Sequence, residues 1–188
     1  MRTLLIAAAV LALAACDKPQ QQPAANETEA AADTTGIKGV HRDHKNQAAP
    51  AAEFSDPRGQ QTSLAAFSGK PVLVNLWATW CAPCVKELPT LDRLSMSPGA
   101  PKVVAISQDM GPHASVVAFL DSKKIANLDA YQDPKMGLSG ALGPDTVLPT
   151  SILYDAQGRE VWRYVGDLDW TSPEAAKLLA EGGVRAGG

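Results

Sequence analysis

The feature that most constrains the fold is a pair of cysteines placed between a strand-like segment and a helix-like one. The apolar run Val72–Trp77 is typical of a buried strand, and the residues after Pro83 have helix character. We therefore expect Cys81 in the turn that opens a helix and Cys84 one turn inside it. The first N–H groups of a helix are unpaired and its dipole is positive there, which favours a thiolate over a thiol. A thiolate is the species that attacks disulfides.

The number and spacing of the cysteines favour redox chemistry over a structural role. The chain of 188 residues has 3 cysteines, and only the Cys81–Cys84 pair lies outside the N-terminal leader. A bridge across so short a loop would stabilise the fold little compared with a long-loop bridge. A structural zinc site usually needs four ligands, and the sequence offers no second cysteine pair or suitably placed histidine. A formal charge of −3 gives no basic surface and argues against a nucleic-acid partner.

The N-terminus has the pattern of a secretion leader that ends in a lipidation site. Leu4 to Ala15 is unbroken apolar sequence, about 18 Å long as a helix and shorter than the ~30 Å hydrocarbon core of a bilayer. Leu13–Cys16 resembles a bacterial lipobox, in which the cysteine becomes the acylated N-terminus. We therefore predict a lipoprotein signal peptide over residues 1–15 and a lipid on Cys16 that anchors the protein to a membrane. The alternative is an ordinary signal peptide cut near Ala15.

The segment after the predicted lipidation site lacks the composition of a folded domain. Asp17 follows directly, and in many bacterial lipoproteins that residue type goes with retention at the inner membrane. Residues 16–52 are rich in Ala, Gln and Pro and have almost no large apolar side chains. Such a segment cannot bury enough surface to offset its chain entropy, so we predict a disordered tether over residues 16–52 and a folded domain over residues 53–188. We interpret His41 and His44 as solvated residues rather than metal ligands.

Strand and helix patterns alternate along the predicted domain. The expected elements are a hairpin over 53–64, a helical turn at 64–67, strands at 72–77, 103–107 and 128–132, helices at 81–96, 115–124 and 134–142, a second hairpin of 151–154 and 160–165, and a last helix from 172 to 182. Ser172 suits an N-cap, and Pro173 suits the first helical position. This order predicts an α/β fold with a central mixed sheet flanked by helices on both faces.

Two blocks of the sequence resemble the membrane-tethered, extracytoplasmic thioredoxin-like proteins of the TlpA/ResA type. The first block runs from Val74 through the cysteines to Pro89, and the second is Leu148–Leu153. The resemblance extends from about residue 54 to the last helix. It implies a thioredoxin-like fold with an N-terminal β-hairpin and a strand–helix insertion, which here would fall between about Gly111 and Leu142.

The resemblance also implies roles for residues at and opposite the cysteine pair. Cys81 would be the exposed nucleophile that forms a mixed disulfide with a client protein, and Cys84 would be the thiol that resolves it. Pro149 would be a cis-proline that faces the cysteines. The backbone around it, at Leu148 and Thr150, would dock the client.

Four further residues contribute to the predicted site. Glu87 lies three residues after the second cysteine and matches an active-site glutamate, so we expect it to be partly buried and to shift proton affinity at the pair. Its alternative is a solvated helix residue. Asn75 stands where cytosolic thioredoxins carry a buried aspartate, so that acid is absent. Trp80 is expected to shield the first cysteine and to contribute to docking, whereas Pro83 stiffens the turn and tunes the redox potential.

The predicted function is that of a protein disulfide oxidoreductase, lipid-anchored at a bacterial inner membrane and facing the periplasm. A buried carboxylate would favour a reductase, and the resemblance implies clients in cytochrome c maturation or in copper-centre assembly of respiratory oxidases. Electrons would come from a membrane thiol transporter, with no cofactor beyond the Cys81–Cys84 pair. The alternatives are a thiol oxidase, a thiol peroxidase, which Ala78 disfavours, and a copper-binding assembly protein, whose cysteines are spaced differently.

Overall fold

Strands of the described residues join into one 8-stranded mixed sheet. The computed structural model describes residues 38–144 and 146–184. The strands are β1 (Gly39–His41), β2 (Glu53–Ser55), β3 (Gln61–Ser63), β4 (Val72–Trp77), β5 (Lys102–Ser107), β6 (Tyr131–Gln132), β7 (Thr150–Tyr154) and β8 (Glu160–Val165). The helices are α1 (Ala82–Ser95), α2 (His113–Ser122), α3 (Gly137–Leu142) and α4 (Pro173–Ala180), with a 3-10 helix at Leu64–Phe67. The strand order is β1-β8-β7-β4-β5-β6-β2-β3.

The central strand β4 is buried along its whole length. It pairs parallel with β5 and antiparallel with β7. Leu73 and Trp77 belong to a core formed with α1, α2 and α4, whereas Val74 and Leu76 belong to a second core formed with α3 and the N-terminal hairpin. Alternate side chains of a strand point to opposite faces of a sheet, so the two cores lie on opposite faces. The predicted sheet with helices on both faces is confirmed.

The N-terminal hairpin and the strand–helix insertion are both present. β2 pairs antiparallel with β3, and β2 also pairs antiparallel with β6. The insertion, β6 and α3, lies between α2 and β7 in the chain. β6 pairs with β5 on one side and with β2 on the other, so it joins the hairpin to the central sheet. This arrangement agrees with the predicted thioredoxin-like architecture.

α1 begins where the sequence predicts because local groups satisfy its first turn. Cys81 is the N-cap, and its Sγ accepts the N–H of Cys84 at 3.3 Å. Pro83 lies at the start of the helix, where a missing N–H costs nothing. Leu88 and Leu91 pack into the core, so the helix is fixed against the sheet with its cysteines just past the carboxyl end of β4.

α3 begins later than the sequence pattern indicates. The carboxylate of Asp133 accepts the N–H groups of Gly137, at 3.0 Å, and of Leu138, at 2.8 Å. These bonds satisfy donors at the helix N-terminus, and Met136 just before them is left-handed, with φ of 53°. The helix therefore begins at Gly137 and not near Pro134.

The predicted start of the folded domain at residue 53 is wrong. β1 (Gly39–His41) pairs antiparallel with β8, Ala48 forms a bridge with Arg159, and Arg42 forms an ion pair with Glu181. β1 contributes mainly backbone hydrogen bonds to a sheet edge and buries its side chains only in part, so composition carries little sign of it. The predicted signal peptide, Cys16 and residues 17–37 of the predicted tether lie outside the described residues. Within the part described, no helix combines the length and apolarity needed to cross a membrane.

Candidate active site

Cys81 and Cys84 are joined by a disulfide at the N-terminus of α1. Cys84 is 0% exposed and Cys81 is 6% exposed, so the expectation of an exposed Cys81 is wrong for this oxidised state. The cause is local, since the Cys81 sulfur caps the helix and is bonded to a fully buried partner. Cys81 is still the more accessible of the two cysteines.

The loop before β7 lies at the same edge of the sheet as the cysteines. The Leu148–Pro149 peptide bond is cis, as predicted. Thr150 pairs with Leu76 near the end of β4, and the cysteine turn follows β4 within a few residues. This antiparallel register brings the loop at Leu148 and Pro149 to the carboxyl end of β4.

Thr150 is less suited to client docking than Leu148. It is 1% exposed and pairs with Leu76 on one side and Val165 on the other. Its hydroxyl donates to the carbonyl of Val147 at 2.6 Å. Thr150 therefore holds the loop in place, and the half-buried Leu148 is the neighbouring residue with surface left to offer.

Glu87 is enclosed in the protein, with only 2% of its surface exposed. One carboxyl oxygen, Oε1, accepts from Asn75 Nδ2 at 2.6 Å. The other, Oε2, accepts the N–H of Leu168 at 3.2 Å and Trp170 Nε1–H at 3.3 Å. Burial raises the pKa of Glu87 to about 7, although these donors act in the opposite direction. The alternative of a solvated helix residue is excluded, and the burial is more complete than the sequence predicted.

Asn75 and Ser151 continue this buried network into the sheet. Both residues are 0% exposed. Asn75 Nδ2 donates to Ser151 Oγ at 2.9 Å as well as to Glu87. Asn75 Oδ1 has no hydrogen-bond partner among the residues that the structure describes. Sequence reasoning noted Asn75 only as a missing acid and did not find Ser151, which is a common residue type in a buried strand with no motif around it.

A second acid, Asp167, lies next to the residues that hold Glu87. Its carboxylate forms ion pairs with Lys38 at 3.0 Å and with Lys86 at 3.1 Å. The hydrogen bond from Lys38 is the main reason that the pKa of Asp167 is lowered, so Asp167 keeps its negative charge. That charge also helps to raise the pKa of Glu87.

The turn before Cys81 is anchored by Asp109, on the loop after β5. Asp109 Oδ2 accepts the N–H of Thr79 at 2.9 Å, and Oδ1 accepts the Thr79 hydroxyl at 2.7 Å. Ser107 Oγ donates to the same carboxylate at 2.7 Å. These contacts fix the loop after β5 beside the cysteine turn, and sequence reasoning missed them because no local pattern links the two loops.

Three large apolar side chains are exposed on loops at the cysteine end of the sheet. Trp80 is 68% exposed, Met110 is 80% exposed and Val147 is 43% exposed. Trp80 follows β4, Met110 follows the parallel strand β5, and Val147 precedes the antiparallel strand β7. We call these three residues the apolar rim. Pro83, at the start of α1, is exposed as well.

Among residues 38–144 and 146–184, no group of three or more His, Cys, Asp or Glu side chains is arranged to hold a metal ion. His41 lies in β1 and is half-buried, as is His44, so neither is fully solvated as the sequence predicted.

The sheet is thioredoxin-like, a disulfide lies at the start of its first core helix, and a cis-proline lies at the same edge. Together these features define a thiol–disulfide oxidoreductase. Comparison with known families agrees with this class. The chain belongs to the Redoxin family, whose model matches residues 44–179.

The chain is also similar to individual oxidoreductases. It is 31% identical over 123 residues to a thiol-disulfide oxidoreductase ResA of Bacillus cereus, a match that covers 63% of this chain and 68% of that protein. It is 28% identical over 147 residues to the thiol:disulfide interchange protein DsbE of Vibrio cholerae, with 69% and 71% covered. A solved structure from Chlorobium tepidum, described as a candidate DsbE, superposes with a TM-score of 0.63 at 25% identity over 73% of this chain and 96% of that one. The predicted resemblance, fold and enzyme class are confirmed.

Proposed function

We propose that this oxidoreductase works as a reductase of specific protein disulfides outside the cytoplasm. The observation that carries the proposal is the burial of Glu87 on α1, three residues after Cys84. A carboxylate enclosed there disfavours a second negative charge on a nearby sulfur. A cysteine pair whose reduced, thiolate form is stabilised is an oxidant. A pair whose thiolate is disfavoured is therefore a reductant.

The reaction passes two electrons from the Cys81–Cys84 dithiol to the client. The Cys81 thiolate attacks one sulfur of the client disulfide, so a bond from Cys81 to the client forms while the client's own S–S bond breaks. The displaced client thiolate takes up a proton. The Cys84 thiolate then attacks Cys81 Sγ, releases the second client sulfur and restores the Cys81–Cys84 disulfide described here.

Glu87 is the proposed acceptor for the Cys84 proton. Cys84 is fully buried, so its thiol cannot pass a proton directly to solvent. Residues three apart on a helix are neighbours, and a group with a pKa of about 7 can both take and return a proton at neutral pH. Titration of the thiols in a Glu87→Gln variant tests this role, because a curve identical to that of the wild type would contradict it.

The apolar rim indicates the kind of client segment that this site accepts. Any client sulfur that reaches Cys81 must come close to Trp80, which is the preceding residue and is largely exposed. The acidic residue on the loop after β5, Asp109, is engaged by Thr79 and Ser107. We propose that the client presents an extended segment with apolar side chains beside its cysteine, docked along Leu148 and Pro149.

The proposed location and partners rest on the leader and on the resemblance. A lipid on Cys16 would anchor the protein to the outer face of the inner membrane, and a membrane thiol transporter would return electrons to the Cys81–Cys84 disulfide. The proposed clients are cysteines reduced during cytochrome c maturation or during copper-centre assembly in respiratory oxidases. Relatives named ResA and DsbE support the exchange chemistry of this proposal.

A thiol oxidase is the alternative that has a specific observation in its favour. Cys81 Sγ accepts the N–H of Cys84 at the N-terminus of α1, and both features stabilise a thiolate. We place the reductase first because an anionic Glu87 opposes that stabilisation from within the protein.

Reduction of a protein disulfide by the purified protein tests the proposal. The protein is reduced with dithiothreitol, desalted and mixed with insulin, whose two chains are joined by disulfides, in the absence of other thiols. We expect one insulin disulfide to be reduced per protein molecule, and no reduction by a Cys81→Ser variant. The proposal fails if the reduced protein leaves insulin oxidised while the disulfide form oxidises a dithiol peptide.

A further inference from the structure

We infer that the side-chain amide of Asn75 reorients when Glu87 gains or loses its proton, so that Asn75 and Ser151 position the carboxyl group in both protonation states. The inference rests on the proposed function in one respect, that Glu87 exchanges a proton during thiol exchange. Asn75 and Ser151 are positioning residues in this account, since they act through Glu87 and not on the client.

The orientation in the structure matches an ionised Glu87. Both hydrogens of Asn75 Nδ2 are used, one on Glu87 Oε1 at 2.6 Å and one on Ser151 Oγ at 2.9 Å. A carboxylate is an acceptor only, and the serine hydroxyl can accept as well as donate. All three side chains are buried, so solvent does not complete these contacts.

A protonated Glu87 does not fit the same arrangement. A hydrogen on Oε1 would face the Asn75 amide donor, and a hydrogen on Oε2 would face the donors of Leu168 and Trp170. The new O–H therefore needs an acceptor. Asn75 Oδ1 is a buried acceptor with no partner among the described residues, and it belongs to the same amide group.

Rotation of the Asn75 amide by half a turn supplies that acceptor. Oδ1 then takes the place of Nδ2 and accepts from Glu87 Oε1–H, and also from Ser151 Oγ–H, because a hydroxyl can reverse its role. One buried amide atom is left without a partner in either orientation, Oδ1 in the first and Nδ2 in the second. The network therefore gives Glu87 a hydrogen bond in both protonation states, the stronger one when the group is ionised, which suits a group that must take and return a proton. An aspartate at this position would instead add a second charge.

None of the other titratable and charged groups near Glu87 in the described ranges offers its O–H an acceptor in place of Asn75 Oδ1. Asp167 lies on the loop after β8 and is paired with Lys38 and with Lys86 of α1. Tyr164 on β8 has its pKa raised, mainly by burial and in small part by Glu87. In the described ranges, none of these four groups is hydrogen-bonded to the Glu87 carboxyl group, whose contacts run to Asn75 and to the segment after β8.

Nuclear magnetic resonance on the oxidised wild-type protein tests the reorientation directly. The ¹³C shift of the Glu87 carboxyl carbon reports its protonation between pH 5 and 9, and nuclear Overhauser effects from the Asn75 amide hydrogens to the Ser151 β-hydrogens report the orientation. We expect those effects above the Glu87 midpoint and their loss below it. Effects of equal strength on both sides of the midpoint would overturn the inference.

Two variants separate positioning from packing. Asn75→Leu keeps a side chain of similar size but can neither donate nor accept, so the Glu87 midpoint should rise by about one pKa unit, the value of one hydrogen bond to a charged group. Ser151→Ala keeps the Asn75–Glu87 contact and should move the midpoint less. An unchanged midpoint in a folded Asn75→Leu protein would contradict the positioning role. These measurements use no client, so they can fail while the reductase activity holds, and the activity can fail while they succeed.

Discussion

Asn75 Nδ2 lies 2.6 Å from Glu87 Oε1, so the middle of the central strand is hydrogen-bonded to the first core helix one turn beyond Cys84. Both residues are buried, with exposed fractions of 0% and 2%. Water therefore screens the carboxyl group little, and its charge acts strongly on its neighbours. The ionisable group of this buried pair is on the helix, at Glu87, while the strand supplies a neutral amide.

Loss of the resolving thiol should trap the client. A Cys84→Ser variant keeps the attacking sulfur at Cys81 but cannot displace the client, so a mixed disulfide should accumulate on a non-reducing gel. Cys81→Ser is the matched control, because its remaining thiol is fully buried and should form little adduct. Equal trapping by both variants would contradict the assignment of Cys81 as the attacking group.

Glu87 should make the stability of the oxidised protein depend on pH. Its pKa is about 7 in the folded protein against an ordinary value of 4.5. The folded state therefore binds more protons in this window, so the free energy of unfolding falls as pH rises from 4.5 to 7 and is level above 7. At about 1.4 kcal/mol per pKa unit, the fall is about 3.5 kcal/mol.

Urea unfolding at pH 5 and pH 8 measures this contribution when the wild type is compared with Glu87→Gln. The variant has no carboxyl group to titrate at this position, so its decrease between the two pH values should be smaller than that of the wild type. Other acids with altered pKa values, such as Asp167, have lowered values and titrate below this window. Identical pH dependence in the two proteins would contradict a raised pKa for Glu87.

Truncation of the apolar rim should weaken client docking. We compare two rates for each variant, the reduction of a protein client and the reduction of a small aromatic disulfide. Met110→Ala should lower the ratio of the first rate to the second about fivefold, because it removes a docking contact of about 1 kcal/mol. Met96→Ala is the matched control, since Met96 is 59% exposed at the opposite end of α1. A Met110→Ala ratio equal to that of the control would exclude Met110 from the docking surface.

A buried ion pair away from the cysteines should matter for stability and not for exchange. Arg163 Nε and Nη2 donate to the two carboxyl oxygens of Glu160, each at 2.8 Å, and Nη1 donates to the Leu142 carbonyl at 3.1 Å. Glu160→Gln leaves a guanidinium buried without its carboxylate, so the free energy of unfolding should fall by about 3–5 kcal/mol. The double variant Glu160→Leu, Arg163→Met removes both charges, so its free energy of unfolding should fall less than that of Glu160→Gln. A larger fall in the double variant would contradict this account.

Much of the fold could be predicted because its signals are local. The run Val72–Trp77 is buried on both faces, and a strand of that kind has a continuous apolar sequence. α4 begins at Pro173 because the Ser172 hydroxyl accepts the N–H of Ala175 at 3.1 Å, a cap that the sequence shows directly. The position of the cysteine pair at the start of α1 could likewise be predicted from adjacent residues, since a strand-like run precedes it and Pro83 marks the helix start.

The rest depends on contacts that no local pattern records. The donors to Glu87 Oε2 come from Leu168 and Trp170, which are 81 and 83 residues away in the chain. The strand Gly39–His41 forms because β8 presents an unpaired edge to it, and its own sequence has little strand character. The near-complete burial of Cys81 likewise follows from the folded helix terminus and not from its residue type.

The reduction potential of the Cys81–Cys84 pair tests the central claim most directly. The purified protein is equilibrated with dithiothreitol buffers and with glutathione buffers of graded reduced-to-oxidised ratio, then quenched, and its free thiols are counted. A reductase with Glu87 opposing the thiolate should have a potential near that of thioredoxin, about −270 mV. A value near about −120 mV, typical of a strong disulfide oxidant, would contradict the proposed direction of electron flow.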